Sequence, residues 1–204
     1  EGLLFANRDS GIRIDGQVDR FGYQASLTNG TKNGAVGDNG YLSSAARLTF
    51  GLAEALTVGV NATLKDYDVQ QRLNQVDYAK AWGLDIQHGT WRDGLLIQAA
   101  YMRGQNWRLA KRAWSTVPWF DAKQIQASWY VPHNSERVVG LEPMIRVSIA
   151  DPNKRSYNDG GVLVTPGFAA YFQGRSRVSA NIDLYRSSAD GTFWTLRVGT
   201  LLYF

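Results

Sequence analysis

The chain has 204 residues, 44% apolar, 20% charged and 12% aromatic, with 21 Gly, 7 Trp and no Cys, the size of one domain. Its mean hydropathy is −0.30, and no apolar run approaches the roughly 18 residues a membrane helix needs, which excludes a helical membrane protein; the missing cysteine excludes disulfides, thiolate metal sites and cysteine nucleophiles. The 22 Lys and Arg against 18 Asp and Glu leave +4, spread along the chain and not gathered into the basic block of a nucleic-acid binder, so no nucleic acid is expected as a partner.

Glu1–Phe5 shows no basic region, apolar core and small-residue cleavage site, which predicts a mature chain. Beyond it a period of two dominates, placing successive side chains on opposite faces of strands. Strands are predicted over 11–19, 21–29, 41–52, 56–66, 77–89, 94–104, 119–132, 138–151, 161–174, 176–187 and 192–204, eleven in all. Asn29-Gly30, Asn39-Gly40, Asp93-Gly94, Asp159-Gly160 and Asp190-Gly191 tolerate positive φ and mark hairpin turns. Short connections at Asp19-Arg20, 53–55, Arg92-Asp93, 134–136 and Gly174-Arg175 alternate with long polar ones near 30–40, 67–76, 105–118 and 152–160; only 188–191 is short where the series expects a long one. Tight turns at one end and loops at the other are the pattern of an outer-membrane β-barrel.

Within strands the two faces differ in kind. Trp194, Leu196, Val198 and Leu202 oppose Thr195, Arg197, Gly199 and Tyr203; Val178, Ala180, Ile182 and Leu184 oppose Arg177, Ser179, Asn181 and Asp183; Leu56, Val58, Val60, Ala62 and Leu64 oppose Thr57, Asn61, Thr63 and Lys65. The alternation is expected to run without phase slip. The polar face is rich in Gly, Ser, Thr, Asn and Gln, as a watery lumen prefers, so the expected fold is an all-β antiparallel transmembrane barrel with lipid outside. Trp82, Trp91, Trp119, Trp129, Phe168, Tyr171, Phe172, Trp194, Tyr203 and Phe204 are expected mainly at strand ends, as interfacial girdles.

Four blocks, in order, resemble the phosphate-selective porin O/P family: Ala6–Gly16 with Arg8-Asp9-Ser10-Gly11, Phe21–Gly30 with Tyr23 and Asn29-Gly30, Leu141–Ser148 with Glu142-Pro143 and Arg146, and Gly160–Phe172 with Thr165, Gly167 and Tyr171. The ending Leu201-Leu202-Tyr203-Phe204 is similar to the aromatic signal that such barrels present to their assembly machinery. The resemblance implies an outer-membrane location, a homotrimer, contact with lipid and lipopolysaccharide, and passage of small anionic solutes. It implies sixteen strands, so eleven suggest either part of a larger barrel or, with residues 1–8 as a twelfth strand, a smaller closed one.

Phase assignment turns Arg13, Arg47, Lys65, Arg146, Arg177 and Arg197 inward together with Asp15, Asp85, Glu142 and Asp183. Cations lining a narrow pore lower the barrier for anions, the preference implied by the resemblance. Arg13–Asp15 and Arg146–Glu142 are expected to pair along their own strands and brace the wall, whereas Arg47, Arg197 and Lys65 have no acid on their own strand and are the candidates for the ion path. The loop 105–117, with Arg103, Arg108, Lys111, Arg112, Trp107 and Trp114, is expected either to attract anions at the mouth or to meet solvent or lipopolysaccharide. No enzyme is expected: His88 lacks a placed serine and His133 falls in a turn. No metal is expected, since Asp151, Asn153 and Asp159 lack calcium-loop spacing, and no cofactor is implied. Two other readings are a structural barrel subunit of a larger outer-membrane assembly and a soluble ligand-binding β-barrel, the latter requiring polar outside and apolar inside.

Overall fold

A computed structural model of the chain describes residues 10–29, 42–67, 77–106, 117–173, 176–188 and 191–202. Eleven strands form one antiparallel sheet in sequence order: β1 (Gly11–Val18), β2 (Phe21–Thr28), β3 (Ser43–Ala53), β4 (Leu56–Tyr67), β5 (Asp77–Thr90), β6 (Asp93–Gln105), β7 (Trp119–Pro132), β8 (Val138–Asp151), β9 (Gly161–Phe172), β10 (Arg177–Ser187) and β11 (Gly191–Leu201). Each strand pairs with its neighbours in sequence, and among the described residues β1 and β11 are the two edges. Residues 1–8, Tyr203 and Phe204 lie outside the described residues.

The turns follow from local chemistry. Asp19, at φ 51°, closes the two-residue turn between Val18 and Phe21, and Arg92, at φ 62° with Gly94 at 63°, closes the turn from β5 to β6. Gly94 and Gly191 take the positive φ expected of their Asp-Gly pairs, but at 152–160 the left-handed residue is Asn158, and Asn29 is not left-handed. The expected unbroken alternation is corrected at three places. Register shifts at Gly51/Ala53, His88/Thr90 and Val138/Gly140 sit at the short-turn ends of β3, β5 and β8, where bulges tighten the twist before the chain reverses. Between these shifts the register carries one phase across every strand.

That phase separates two unlike surfaces. The buried side chains of the strands, including Ala79, Ala81, Leu96, Phe120, Ala169, Tyr171, Ser43, Lys65, Ser128, Glu142, Thr165, Asp183 and Ser187, all share the polar phase. The opposite phase is apolar and open: Leu48, Val60, Leu84, Ile125, Ile145, Ile182 and Val198 are all exposed, and Trp194 is 70% exposed. Side chains crowd one another on the polar side and stand open on the apolar side. The distribution inverts that of a domain built around an apolar core, and the exposed apolar area far exceeds the few hundred Å² that monomeric soluble proteins usually leave open.

Candidate functional site

All eight candidate residues lie on the crowded face. Register places Arg13, Arg47, Lys65, Glu142, Arg146, Arg177, Asp183 and Arg197 in a single phase with Asp15 and Asp85. The residues gather into three groups, each defined by how neighbouring strands meet.

The first group spans β1 to β5. Arg13 Nε donates to Asp15 Oδ1 at 3.0 Å, the same-strand brace expected from the sequence, with both side chains exposed. Arg47 has a partner, contrary to the expectation of an uncompensated arginine: its Nη2 and Nε donate to Asp85 Oδ1 and Oδ2 at 2.5 and 3.3 Å. Asp85 lies two strands away, about 10 Å across the sheet, and the two meet because Gly59 stands between them. A Cβ on Gly59 would lie 2.6 Å from Asp85 Oδ2, so a larger residue there must push the carboxylate from its present place in the bidentate pair. Gln24, Asn61 and Thr63, with Ala25, Ala45 and Ala46, line a recess of mixed polarity of about 190 Å³ beside Arg13 and Arg47.

The second group spans β8 to β11 and corrects another expectation. Arg146 does not pair with Glu142 on its own strand. Its Nη2 reaches Thr165 Oγ1 at 3.4 Å and lies 3.9 Å from Asp183 Oδ1. Thr165 Oγ1 donates to the same Asp183 oxygen at 2.7 Å, and the Arg197 guanidinium grips Asp183 Oδ2. One carboxylate, 5% exposed, thus sits between two arginines and leaves the cluster one positive charge in excess. Arg197, with 64% of its side chain exposed, presents that excess to solvent. Lys65, expected in the ion path, is buried and engaged, so its ammonium is not displayed on the surface.

The third group lies at the short-turn end and was not legible in the sequence. Tyr171, expected in an outer girdle, is instead buried on the polar face, where its hydroxyl donates to Glu142 Oε2. Tyr130 packs edge-on against it at 5.6 Å and donates to the Val139 carbonyl at 3.0 Å. Arg92 folds back from its turn over three rings, 4.8 Å from Tyr171 and 5.6 Å from both Trp91 and Tyr130. A left-handed arginine costs about 1–2 kcal/mol, and three cation–π contacts of about 0.5–1 kcal/mol each offset it. Gly140 carries no side chain because the Tyr130 ring fills its space. A glycine on the polar phase beside a long polar or aromatic neighbour was the only sequence signal for such contacts, and it does not name the partner.

Other candidates fall elsewhere. Arg103 is not in the loop: it stands on β6 in the apolar phase, opposite Asp121. Trp107, Arg108, Lys111, Arg112 and Trp114 lie outside the described residues. His88 is also in the apolar phase, opposite Leu56. Asp151 is engaged by the Asn153 N–H and the Lys154 ammonium.

No family model, curated protein or solved structure matches this chain.

Proposed function

We propose that the chain forms the wall of an outer-membrane porin through which small hydrophilic solutes diffuse passively, with a preference for anions. The observation that carries this reading is the inversion of the sheet: charged and hydroxyl side chains crowd one face of eleven antiparallel strands while large apolar ones stand open on the other. Lipid is the solvent that such an outer face requires, and an antiparallel wall satisfies its backbone hydrogen bonds between strands. The unpaired edges of β1 and β11 would each need a strand partner in hydrocarbon, so the wall closes only with further strands or with β1 meeting β11. A lipocalin-like soluble barrel needs the opposite distribution of faces.

The anion preference rests on the excess positive charge around Asp183 and on Arg92 turned to the inner side, together with the motif resemblance to phosphate-selective porins. Paired arginines in a low-dielectric wall keep their field focused along the pore while remaining fixed in place. The test is planar-bilayer conductance of the purified protein under a salt gradient. Stable steps with an anion-selective reversal potential are expected; unheated samples should also migrate anomalously on gels. A protein that stays soluble without detergent and gives no conductance would overturn the reading.

A further inference from the structure

The apolar face is not uniform. At its long-loop end three successive rows cross β5 to β8, each about 7 Å further from the loops. The first row is Trp82, Arg103, Asp121 and Asp151; the second is Leu84, Tyr101, Lys123 and Ile149; the third is Ile86, Ala99, Ile125 and Val147. Polarity therefore falls from a charged rim to a wholly apolar strip within three rows. Ala99, flanked by Ile86 and Ile125, leaves a depression of about 470 Å³ in the strip, lined almost entirely by carbon.

The rim is organised around one carboxylate. Asp121 accepts from Tyr101 Oη at 3.2 Å, and Arg103 Nε and Lys154 Nζ lie 3.8 and 3.3 Å from it. Lys154 also reaches Asp151 at 3.2 Å. Arg103 stacks over Trp119 at 5.7 Å, and Trp82 meets Tyr101 edge-on at 5.4 Å. The acids hold the cations without cancelling them: Arg103, Lys123 and Lys154 give three positive charges against two from Asp121 and Asp151, a net of one. More than two-fifths of the Arg103 and Lys154 side chains remain exposed. An aromatic girdle accounts for Trp82, Tyr101 and Trp119. It does not account for clustered cations directly above a carbon-lined hollow.

We propose that this surface binds a phosphorylated, acylated saccharolipid of the lipid A kind, its phosphate on Arg103 and Lys154 with Lys123 beside them, and one acyl chain in the depression over Ala99. The assignment rests on the reading that the apolar face meets lipid. Long loops mark the outer side of such barrels, so on that reading the rim lies in the outer leaflet, whose characteristic lipid carries its phosphates directly on an acylated sugar. Arginine's fork and lysine's point charge both suit phosphate oxygens.

The test is native mass spectrometry of the full chain in detergent micelles with diphosphoryl lipid A as probe. The parent should retain lipid A, an Arg103→Gln/Lys154→Gln double variant should retain it about tenfold less, the scale of two lost charge-assisted contacts, and Ala99→Phe, which fills the hollow without changing charge, should also weaken retention. Arg13→Gln, on the other face, should leave it unchanged. Heat-dependent gel migration equal to that of the parent establishes that each variant is folded. Retention undiminished in both the double variant and Ala99→Phe would overturn the site. Competition by glucosamine phosphate as strong as by lipid A would overturn the acyl contribution and leave a free-phosphate site. If folded protein is heat-modifiable and conducts yet retains no lipid A, this inference fails alone; if it is neither, the membrane reading has failed first.

Discussion

Asp183→Asn separates a lumen-facing charge cluster from an incidental surface network. Asparagine keeps an oxygen for the Thr165 hydroxyl and nearly the same volume, so only the negative charge between Arg146 and Arg197 is lost. If the cluster faces the ion path, an ion about 8 Å away in water feels one added positive charge worth about 0.5 kcal/mol. An anion gains that amount and a cation loses it, so the permeability ratio shifts by about 1 kcal/mol, or roughly fivefold toward anions. Screening over a Debye length of about 30 Å at 10 mM salt leaves most of this effect, while about 10 Å at 0.1 M reduces it to roughly twofold. The assay is the reversal potential in a planar bilayer under a tenfold gradient, where perfect selectivity corresponds to about 60 mV. Arg197→Gln should move it in the opposite direction by a similar factor. Because Arg197 is largely hydrated, the folding cost of Asp183→Asn should stay under about 2 kcal/mol, below the value for a fully buried pair. Reversal potentials that do not move in either variant at 10 mM, or that move with the same sign, would refute the assignment of this face to the pore.

Three further outcomes follow from the same geometry. Val60→Arg should destabilise the protein by about 2–4 kcal/mol in a bilayer, while Asn61→Arg, one residue along β4 and on the polar face, should cost far less; urea unfolding in vesicles followed by tryptophan fluorescence reads the difference, and equal costs would dismiss a lipid-facing apolar side. Gly59→Leu should displace Asp85 from Arg47, costing about 1–3 kcal/mol and strengthening anion preference as Arg47 is released; an unchanged reversal potential would mean that the pair does not face the path. The Lys154 ammonium is held above the usual lysine range, first by its hydrogen bond to Asp151 and then by that to Asp121. A raised folded pKa stabilises below the ordinary lysine value and loses that contribution as pH climbs through the folded one, so the melting difference between parent and Lys154→Met should be flat near neutrality and vanish only at strongly alkaline pH. A difference that disappears below pH 9 would show that the contact with Asp151 and Asp121 is not what holds Lys154.

The parts of this architecture that were legible in the sequence are those set by one strand at a time. Alternation in 178–184 and 194–202 reports the two faces directly, because side-chain period is a property of a single extended segment. Charge partners are a property of register, which a single strand does not carry. Arg47 has no acid on β3, and from the sequence it looks unpaired, yet pairing offsets through β4 bring it within reach of Asp85 on β5 across the gap at Gly59. Arg146 shows the same thing in reverse: Glu142 is its same-strand neighbour, but Tyr171 takes that carboxylate from β9 and leaves Arg146 to Thr165 and Asp183. Arg103 failed for a different reason. A cation next to a polar stretch reads as loop, yet Arg103 stands near the long-loop end of β6, opposite Asp121 and over the Trp119 ring, so a position with the composition of a loop keeps the geometry of a strand. The polar face, then, is largely self-neutralising, and on the porin reading proposed above any selectivity depends on the few places where the pairing is uneven. Asp183, shared by two arginines, is the clearest of them, because losing that one carboxylate takes the ion-pair partner from both guanidinium groups at once.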